Sequence, residues 1–191
     1  MNRHEIREEL GYTDKDFIII YVAEFIERKN HTFLVENISS LREKNPDLKF
    51  IFVGKGQLVE RIRSLTITQE IEKIIWFSGY RNDVEKLCGI SDIYLSSSRQ
   101  EGLPISVVEA MACGIPIVAS NIRGHRDVVQ HGRNGFLFEL NSPDDMVTYI
   151  FELYHNKELR KKIKENNVID ARKFSVSVAV EKMAKIYKSL V

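Results

Sequence analysis

The chain has 191 residues, 43% of them hydrophobic, and its 28 Lys and Arg residues balance 27 Asp and Glu residues to a formal net charge of +1. This length suits one domain with one hydrophobic core. The balanced charge excludes the broad basic surface of nucleic-acid binders, and no run approaches the ~18 apolar residues of a membrane span. We therefore expect a cytoplasmic protein with no nucleic-acid partner.

Six short runs rich in β-branched and aromatic residues are typical of β-strands. They alternate with segments of helical periodicity, and their near-continuous hydrophobicity indicates burial on both faces. We predict an α/β fold in which helices cover both faces of a parallel sheet of about six strands. The predicted strands are Phe17–Ala23, Leu48–Gly54, Ile71–Ser78, Ile93–Ser96, Pro116–Ser120 and Gly135–Phe138.

The predicted helices lie between and after these strands. They are His31–Glu43, Gln57–Leu65, Val84–Gly89, Ile105–Ala112, Gly124–Gln130, Ser142–Lys164 and Val176–Leu190. In such a sheet, the loops that leave the carboxyl ends of the strands line the ligand crevice. The loops that follow residues 23, 54, 78, 96 and 120 are therefore the places to look for a site.

The first of these loops carries Arg28 and Lys29 just before the helix that starts near His31. Two cations beside a helix start can offset the charge of a departing diphosphate. The alternative is that Arg28 and Lys29 are an ordinary pair of solvated surface charges, which is the more common situation for exposed charged residues. His31 either orients the loop or begins the helix.

Two further loops combine glycine with groups that can contact a ligand. Gly54 follows a strand, where a glycine allows either close approach of a ligand or only a tight turn. In the loop after residue 78, a ring of a ligand can lie against Tyr80 or Arg81. Asn82 or Asp83 is expected to cap the next helix.

The most informative segment runs from Glu101 to Glu109 and places two carboxylates on either side of a helix start. Free N–H groups and the helix dipole favour a diphosphate there, and carboxylates accept hydrogen bonds from sugar hydroxyls. Plainer alternatives are a helix-dipole role for Glu109 and a capping role for Ser106. His125, after the fifth strand, either approaches the cleft or lies at the surface.

With its continuation Ala110-Met111-Ala112-Cys113-Gly114-Ile115-Pro116, this segment resembles the nucleotide-binding half of retaining glycosyltransferase family 4 enzymes of the capsular or exopolysaccharide type. The resemblance implies the GT-B fold, in which this half is a Rossmann-like three-layer sandwich. Residues 1–191 would form a single donor-nucleotide-binding domain, and the N-terminal acceptor domain of such enzymes would be absent from the chain.

The resemblance also implies an activity and its site. The enzyme would transfer a sugar from a nucleoside diphosphate sugar, UDP-sugar favoured, to a glycan or lipid-linked acceptor at the inner membrane face. Glu101 and Lys29 would be catalytic. Ala23 and Glu24 stand where relatives have Gly and Arg, so one phosphate contact is missing or comes from Arg28. Donor contacts would come from Arg28, Gly54, Tyr80, Arg81, Gly102, Leu103, Pro104, Ile105, Ser106 and Glu109.

Neither a metal nor another cofactor is expected. Asp14-Lys15-Asp16 precedes the first strand, away from the ligand edge, and the five histidines lack metal-ligand spacing. Cys88 and Cys113 are expected to be free thiols. Two other functions stay open, a phosphorylase or synthase of the same fold that uses sugar phosphates, and a nucleotide-binding module without catalysis.

Overall fold

The computed structural model describes residues 2–45 and 47–189. The described residues form six parallel strands, β1 to β6 in chain order. Helices α1 to α9 lie before, between and after them. The strands are Phe17–Val22, Leu48–Val53, Ile75–Gly79, Ile93–Ser96, Ile117–Ser120 and Gly135–Phe138. The helices are Arg3–Glu9, His31–Lys44, Val59–Thr68, Val84–Ile90, Ile105–Ala112, Arg123–Arg126, Pro143–His155, Lys157–Ala171 and Val176–Lys188.

The strand order is β3-β2-β1-β4-β5-β6. β1 is therefore central and pairs with β2 on one side and with β4 on the other, where Ile19 lies opposite Ile93. The direction of winding reverses between β1 and β4, the place where parallel sheets of this kind bind ligands outside the carboxyl ends of the strands. The predicted parallel, six-stranded α/β sheet is confirmed.

The core is the sheet together with the helix faces that cover it. β1 is buried at five successive positions, Phe17 to Tyr21, as expected for a strand covered on both faces. On one side of the sheet, α2 packs against α3 and α7. On the other side, α4 packs against α1 and α5, and α5 also packs against α8. Burial of this apolar surface is the main stabilising contribution to the fold.

Several predicted boundaries are wrong for local reasons. The run predicted as strand from Ile71 begins with a 3-10 turn at Glu72–Ile74, and β3 starts at Ile75. The turn buries Ile71 and Ile74 and exposes the charged residues between them. The helix predicted over Gly124–Gln130 ends at Arg126, and beyond it the Val128 N–H donates to the His125 carbonyl, three residues back, at 3.1 Å.

The long helix predicted over Ser142–Lys164 is two helices, α7 and α8. The chain breaks at Asn156, whose side chain accepts a hydrogen bond from the Leu159 N–H at 2.9 Å and so caps α8. At the start of the chain, α1 was not predicted, since its residues alternate charges instead of forming an apolar stripe. Leu190, the predicted end of the last helix, lies outside the described residues.

Candidate functional site

A cavity of about 740 Å³ opens at the carboxyl ends of β1, β2 and β3 and is closed by α4 and α5. Of the residues predicted to contact a donor, Gly54, Tyr80, Arg81 and Glu109 line it. The other residues that line the cavity are Val22, Ala23, Glu24, Val53, Lys55, Asn82, Val84, Glu85, Cys88, Ala112 and Cys113. The cavity thus joins loops that are far apart in sequence into one ligand-sized space.

Backbone contact between two loops shapes the floor of this cavity. Gly54 has a φ of 144°, and a Cβ there would lie 2.0 Å from the Ala23 carbonyl oxygen. The Gly54 N–H also donates to the Gly79 carbonyl at 2.8 Å. Because no side chain fits between these strands' ends, Gly54 is required by the fold, whether or not it also contacts a ligand.

Tyr80 and Arg81 stand at the rim. The Tyr80 side chain is exposed, with Lys55 Nζ 5.5 Å from its ring centre. Arg81 donates two hydrogen bonds to the Asp83 carboxylate, at 2.8 and 2.7 Å. That carboxylate makes no capping bond to α4, so the predicted side-chain cap is wrong at Asp83. The pair instead holds the guanidinium at the cavity wall.

Glu109 is exposed and faces the cavity from the fifth position of α5. The first turn of α5 contains no acidic residue, so the alternative in which Glu109 complements the helix dipole there is wrong. The Glu109 carboxylate is thus free to accept hydrogen bonds from a ligand. Glu85 on α4 adds a further carboxylate to the wall, one that sequence patterns did not single out.

Lys29 and Glu101 form an ion pair in which the two side chains are only 14% and 8% exposed. Arg28 lies 3.6 Å from the other Glu101 oxygen and is half exposed. The structure therefore brings the two residues predicted to be catalytic into direct contact. The solvated-surface alternative is wrong for Lys29 and describes only the outer part of Arg28.

Ser98 lies in the loop that follows β4 and donates a hydrogen bond of 2.7 Å to the Glu101 carboxylate. Burial alone would raise the pKa of Glu101, but the hydrogen bonds from Lys29 and Ser98 outweigh it and lower that pKa. Glu101 is therefore held as a carboxylate in a fixed orientation.

Buried hydroxyl groups support this pair from below. The Tyr21 hydroxyl donates to the Lys29 carbonyl at 2.7 Å and lies 3.1 Å from Ser98 Oγ. Ser97 Oγ donates to the Asn30 carbonyl at 2.9 Å. These side-chain hydroxyls thereby tie the Ser98 loop to the backbone of the Lys29 loop. Tyr21, Ser97 and Ser98 were not among the predicted site residues. The polar run Ser96-Ser97-Ser98 directly after an apolar strand is the sequence signal that could have indicated them.

His125 lies fully buried behind the Glu101 loop, so the surface alternative is wrong. Its Nδ1 donates to the Ser120 carbonyl at 2.8 Å, and its Nε2 lies 3.2 Å from Ser96 Oγ. Burial lowers its pKa, so the imidazole is neutral. The adjacent Gly124 touches the Glu101 loop so closely that a Cβ would lie 2.6 Å from the Glu101 carbonyl oxygen.

His31 begins α2, as one of the two alternatives expected, and its ring is buried. It stacks on Phe25 with ring centres 4.1 Å apart and meets Tyr21 at 4.7 Å. Neither ring nitrogen has a hydrogen-bond partner among the residues that the structure describes. Burial, and to a smaller extent Lys29, lowers the pKa of His31 to about 3.

The start of α5 exposes Gly102, Leu103 and Ile105, whereas Pro104 is buried at the N-cap position. Ser106 does not cap the helix, since its Oγ accepts a 2.7 Å hydrogen bond from the Tyr94 hydroxyl instead. The first amides of any helix lack an acceptor within it. Those of α5 therefore remain available to an anion.

The cavity and the Lys29–Glu101 pair are neighbours on one edge of the sheet. The pair follows β1 and β4, the adjacent central strands, while the cavity follows β1 to β3. The Tyr94 hydroxyl links the two regions, since it lies 3.1 Å from the Val22 carbonyl at the cavity and bonds to Ser106 at the start of α5.

Within residues 2–45 and 47–189, three or more His, Cys, Asp or Glu side chains nowhere converge as a metal site. In the same residues, every helix is too short or too polar to span a membrane.

Comparison with known proteins identifies the family. Residues 2–168 match the family described as glycosyl transferases group 1. The chain belongs to this family. Among curated members, EpsD of Bacillus subtilis (strain 168), a named glycosyltransferase, is 33% identical over 189 residues, which cover 99% of this chain and 50% of EpsD.

Another glycosyltransferase, an Escherichia coli UDP-Gal:alpha-D-GlcNAc-diphosphoundecaprenol alpha-1,3-galactosyltransferase, is 27% identical over 197 residues, 100% of this chain and 50% of that protein. The chain spans about half the length of these curated relatives.

Solved structures agree on the fold. Anabaena HepE in complex with UDP and glucose superposes with a TM-score of 0.90 at 23% identity, over 98% of this chain and 52% of HepE. Staphylococcus aureus TarM, with Fondaparinux, alpha-GlcNAc-glycerol and UDP, gives a TM-score of 0.85 at 24% identity, over 91% of this chain and 36% of TarM. The fold is thus the Rossmann-like half of a GT-B glycosyltransferase.

Proposed function

We propose that this chain is the donor-binding half of a retaining glycosyltransferase of family 4, and that it binds a UDP-sugar. The observation that carries the proposal is the pairing of the Glu109 cavity with the adjacent Lys29–Glu101 pair along one sheet edge. The relatives support it, since the E. coli relative is named for a UDP-Gal donor and HepE and TarM were solved with UDP.

Each part of the donor has a chemical counterpart. The base lies in the cavity near Tyr80 and Arg81, and Glu109 accepts hydrogen bonds from the ribose hydroxyls. The diphosphate lies over the first amides of α5, where the helix dipole favours an anion. The sugar then lies beside Glu101. Leu103 and Ile105, both exposed at this helix start, border the sugar.

Transfer follows from this placement. The bond between the anomeric carbon and the leaving phosphate oxygen breaks, the acceptor hydroxyl bonds to the same face of that carbon, and its proton passes to the leaving phosphate. Lys29, Arg28 and the helix amides stabilise the negative charge that develops on the diphosphate. Glu101 positions the sugar, since Lys29 and Ser98 already hold its carboxylate.

The acceptor domain would come from a further half of the enzyme, and residues 1–191 form the donor domain. The complete enzyme would act in polysaccharide biosynthesis, on a glycan or lipid-linked acceptor at the cytoplasmic face of the inner membrane. No metal is required, because cationic side chains and helix amides lie beside the diphosphate and offset its negative charge.

Calorimetry with this chain tests the proposal directly. UDP is expected to bind more tightly than GDP or ADP, and with equal affinity in EDTA and in magnesium. A folded chain that gives no heat with any nucleoside diphosphate or its sugar would refute the donor-domain assignment. Strict dependence on magnesium would refute the metal-free part alone.

A further inference from the structure

The cavity wall holds two free thiols, Cys88 on α4 and Cys113 at the end of α5. Cys88 is buried, while Cys113 is partly exposed. Both thiols line the same cavity where α4 packs against α5, and their interaction shifts their pKa values in opposite directions. They are the only cysteines of the sequence.

We propose that Cys113 and Cys88 form a thiol modification site, in which a hydroperoxide oxidises Cys113 and Cys88 then closes a disulfide. The arrangement has the parts that such a site needs, namely an accessible thiol and a second, shielded thiol on the neighbouring helix of the same cavity wall. Closing the disulfide brings the two sulfurs to the S–S bond length of about 2 Å.

The electrostatic surroundings assign the two roles. The hydrogen bond from Cys88 lowers the pKa of Cys113, whereas the same contact and burial raise the pKa of Cys88. The carboxylates that face the pair, Glu85 from α4 and Glu109 from α5, oppose the thiolate at Cys113 but do not outweigh the hydrogen bond. Because the thiolate is the reactive form, Cys113 attacks first and Cys88 resolves.

The chemistry balances in two steps. The Cys113 thiolate attacks one oxygen of the hydroperoxide, the O–O bond breaks, and Cys113 becomes a sulfenic acid while hydroxide, or an alkoxide, leaves. The Cys88 sulfur then attacks the Cys113 sulfur, the S–OH bond breaks, and water leaves with the Cys88 proton. The peroxide is reduced by two electrons, and the thiol pair is oxidised by two.

Mass spectrometry of the intact chain after treatment with hydrogen peroxide tests the proposal. Relative to the untreated chain, the treated chain is expected to lose about 2 Da without dimerising and to regain them with dithiothreitol, as disulfide closure requires. A product in which Cys113 gains two oxygens without closing the bond, or a disulfide found only between molecules, would overturn it.

Two matched variants assign the order of attack. Cys88→Ser should stop at a sulfenic acid on Cys113 that dimedone traps, and Cys113→Ser should lose its thiol at least about tenfold more slowly, because the remaining thiol is neutral and buried. Equal rates in the two variants would reverse or abolish the assigned roles. Cys88→Ala replaces the serine variant if that variant does not fold, as judged by circular dichroism.

A final arm rests on the proposed function. Bound UDP should cause loss of dimedone labelling in Cys88→Ser, because ligand and thiols share one cavity. If calorimetry shows UDP bound and labelling persists, the placement of the thiols at the ligand is refuted. If UDP does not bind, the proposed function fails while the mass result still decides the thiol chemistry.

Discussion

At the scale of single residues, Lys29 joins the buried ion pair to the proposed diphosphate contact. Lys29→Ala is expected to lower the affinity for UDP roughly tenfold to hundredfold and to leave the affinity for uridine nearly unchanged. This loss corresponds to the usual free energy of a hydrogen bond to a charged group. Only the diphosphate carries charge for the lysine to neutralise. Calorimetry with both ligands, at low and high salt, measures the difference.

Arg28→Ala is the matched control, since Arg28 approaches the same Glu101 carboxylate from a half-exposed position. A small loss of UDP affinity there is expected, because exposed charges are screened by solvent. If Lys29→Ala weakened uridine as much as UDP, Lys29 would act through the fold and not through the phosphates.

Glu109→Gln should lower UDP affinity by about 1.5–3 kcal/mol, because a charged acceptor for the ribose hydroxyls is lost. The melting temperature should not change, since Glu109 is exposed and its side chain makes no hydrogen bond within the described residues. Glu85→Gln, from the opposite wall, is the control. Parent-like UDP binding by Glu109→Gln would remove Glu109 from the proposed site.

His31 makes stability depend on pH in a defined direction. An unfolded histidine takes up a proton below pH 6.5, whereas folded His31 does so only near pH 3. The unfolded chain therefore binds more protons in this window, and stability falls as pH falls, by up to about 1.4 kcal/mol per pH unit. His31→Phe, which keeps the aromatic stack, should flatten this slope in urea unfolding between pH 7.5 and 5.

The lowered pKa of His125 also makes stability fall as pH falls, so the slope of stability against pH in His31→Phe should be smaller than in the parent but not zero. His4 supplies a control of opposite sign, because its hydrogen bond to Asp14 raises its pKa and that stabilisation is lost as pH rises. Equal slopes for the parent and His31→Phe would show that the His31 ring takes up its proton in the folded chain near its ordinary pKa.

At the scale of elements, the buried side chain of Arg7 attaches α1 to the sheet. Arg7 is 4% exposed and donates to the Ile90 carbonyl at 2.7 Å and to the Asp92 carboxylate at 2.8 Å. Asp92 in turn accepts from the Ile18 N–H of β1 at 2.9 Å. A buried guanidinium thus ties α1, β1 and the start of β4 together.

Arg7→Met should destabilise the chain by about 3–5 kcal/mol, the cost of leaving a buried ion-pair partner alone. Arg3 pairs with the same Asp92 at 2.7 Å but is half exposed, so Arg3→Met should cost no more than about 1 kcal/mol. Chemical denaturation of both variants measures the contrast. Similar losses in the two would mean that burial of Arg7 is not what stabilises α1.

Elements with a strong periodic signal were predictable from sequence. β4 and β6 match their predicted bounds, because continuous β-branched and aromatic runs have few alternatives in a parallel sheet. The break between α7 and α8 was not predictable in this way, because charged residues on both sides keep helical periodicity. The break is set by one side chain, that of Asn156, which caps the start of α8.

The candidate site was predictable as residue types and not as contacts. The loop positions follow from the strand pattern, but the pairing of Lys29 with Glu101 depends on β1 and β4 being neighbours, which strand order alone provides. The same holds for Cys88 and Cys113, which meet only because α4 packs against α5. Packing between distant elements leaves no local trace in sequence.

At the scale of the whole molecule, the central position of β1 sets the order in which the protein can be completed during synthesis. β1 to β3 leave the ribosome first and can pair at once, with the apolar edge of β1 open until β4 arrives. Glu101 and Glu109 follow β4 along the chain. A nascent chain therefore has an exposed strand edge, open to pairing with other chains, before it has a complete binding site.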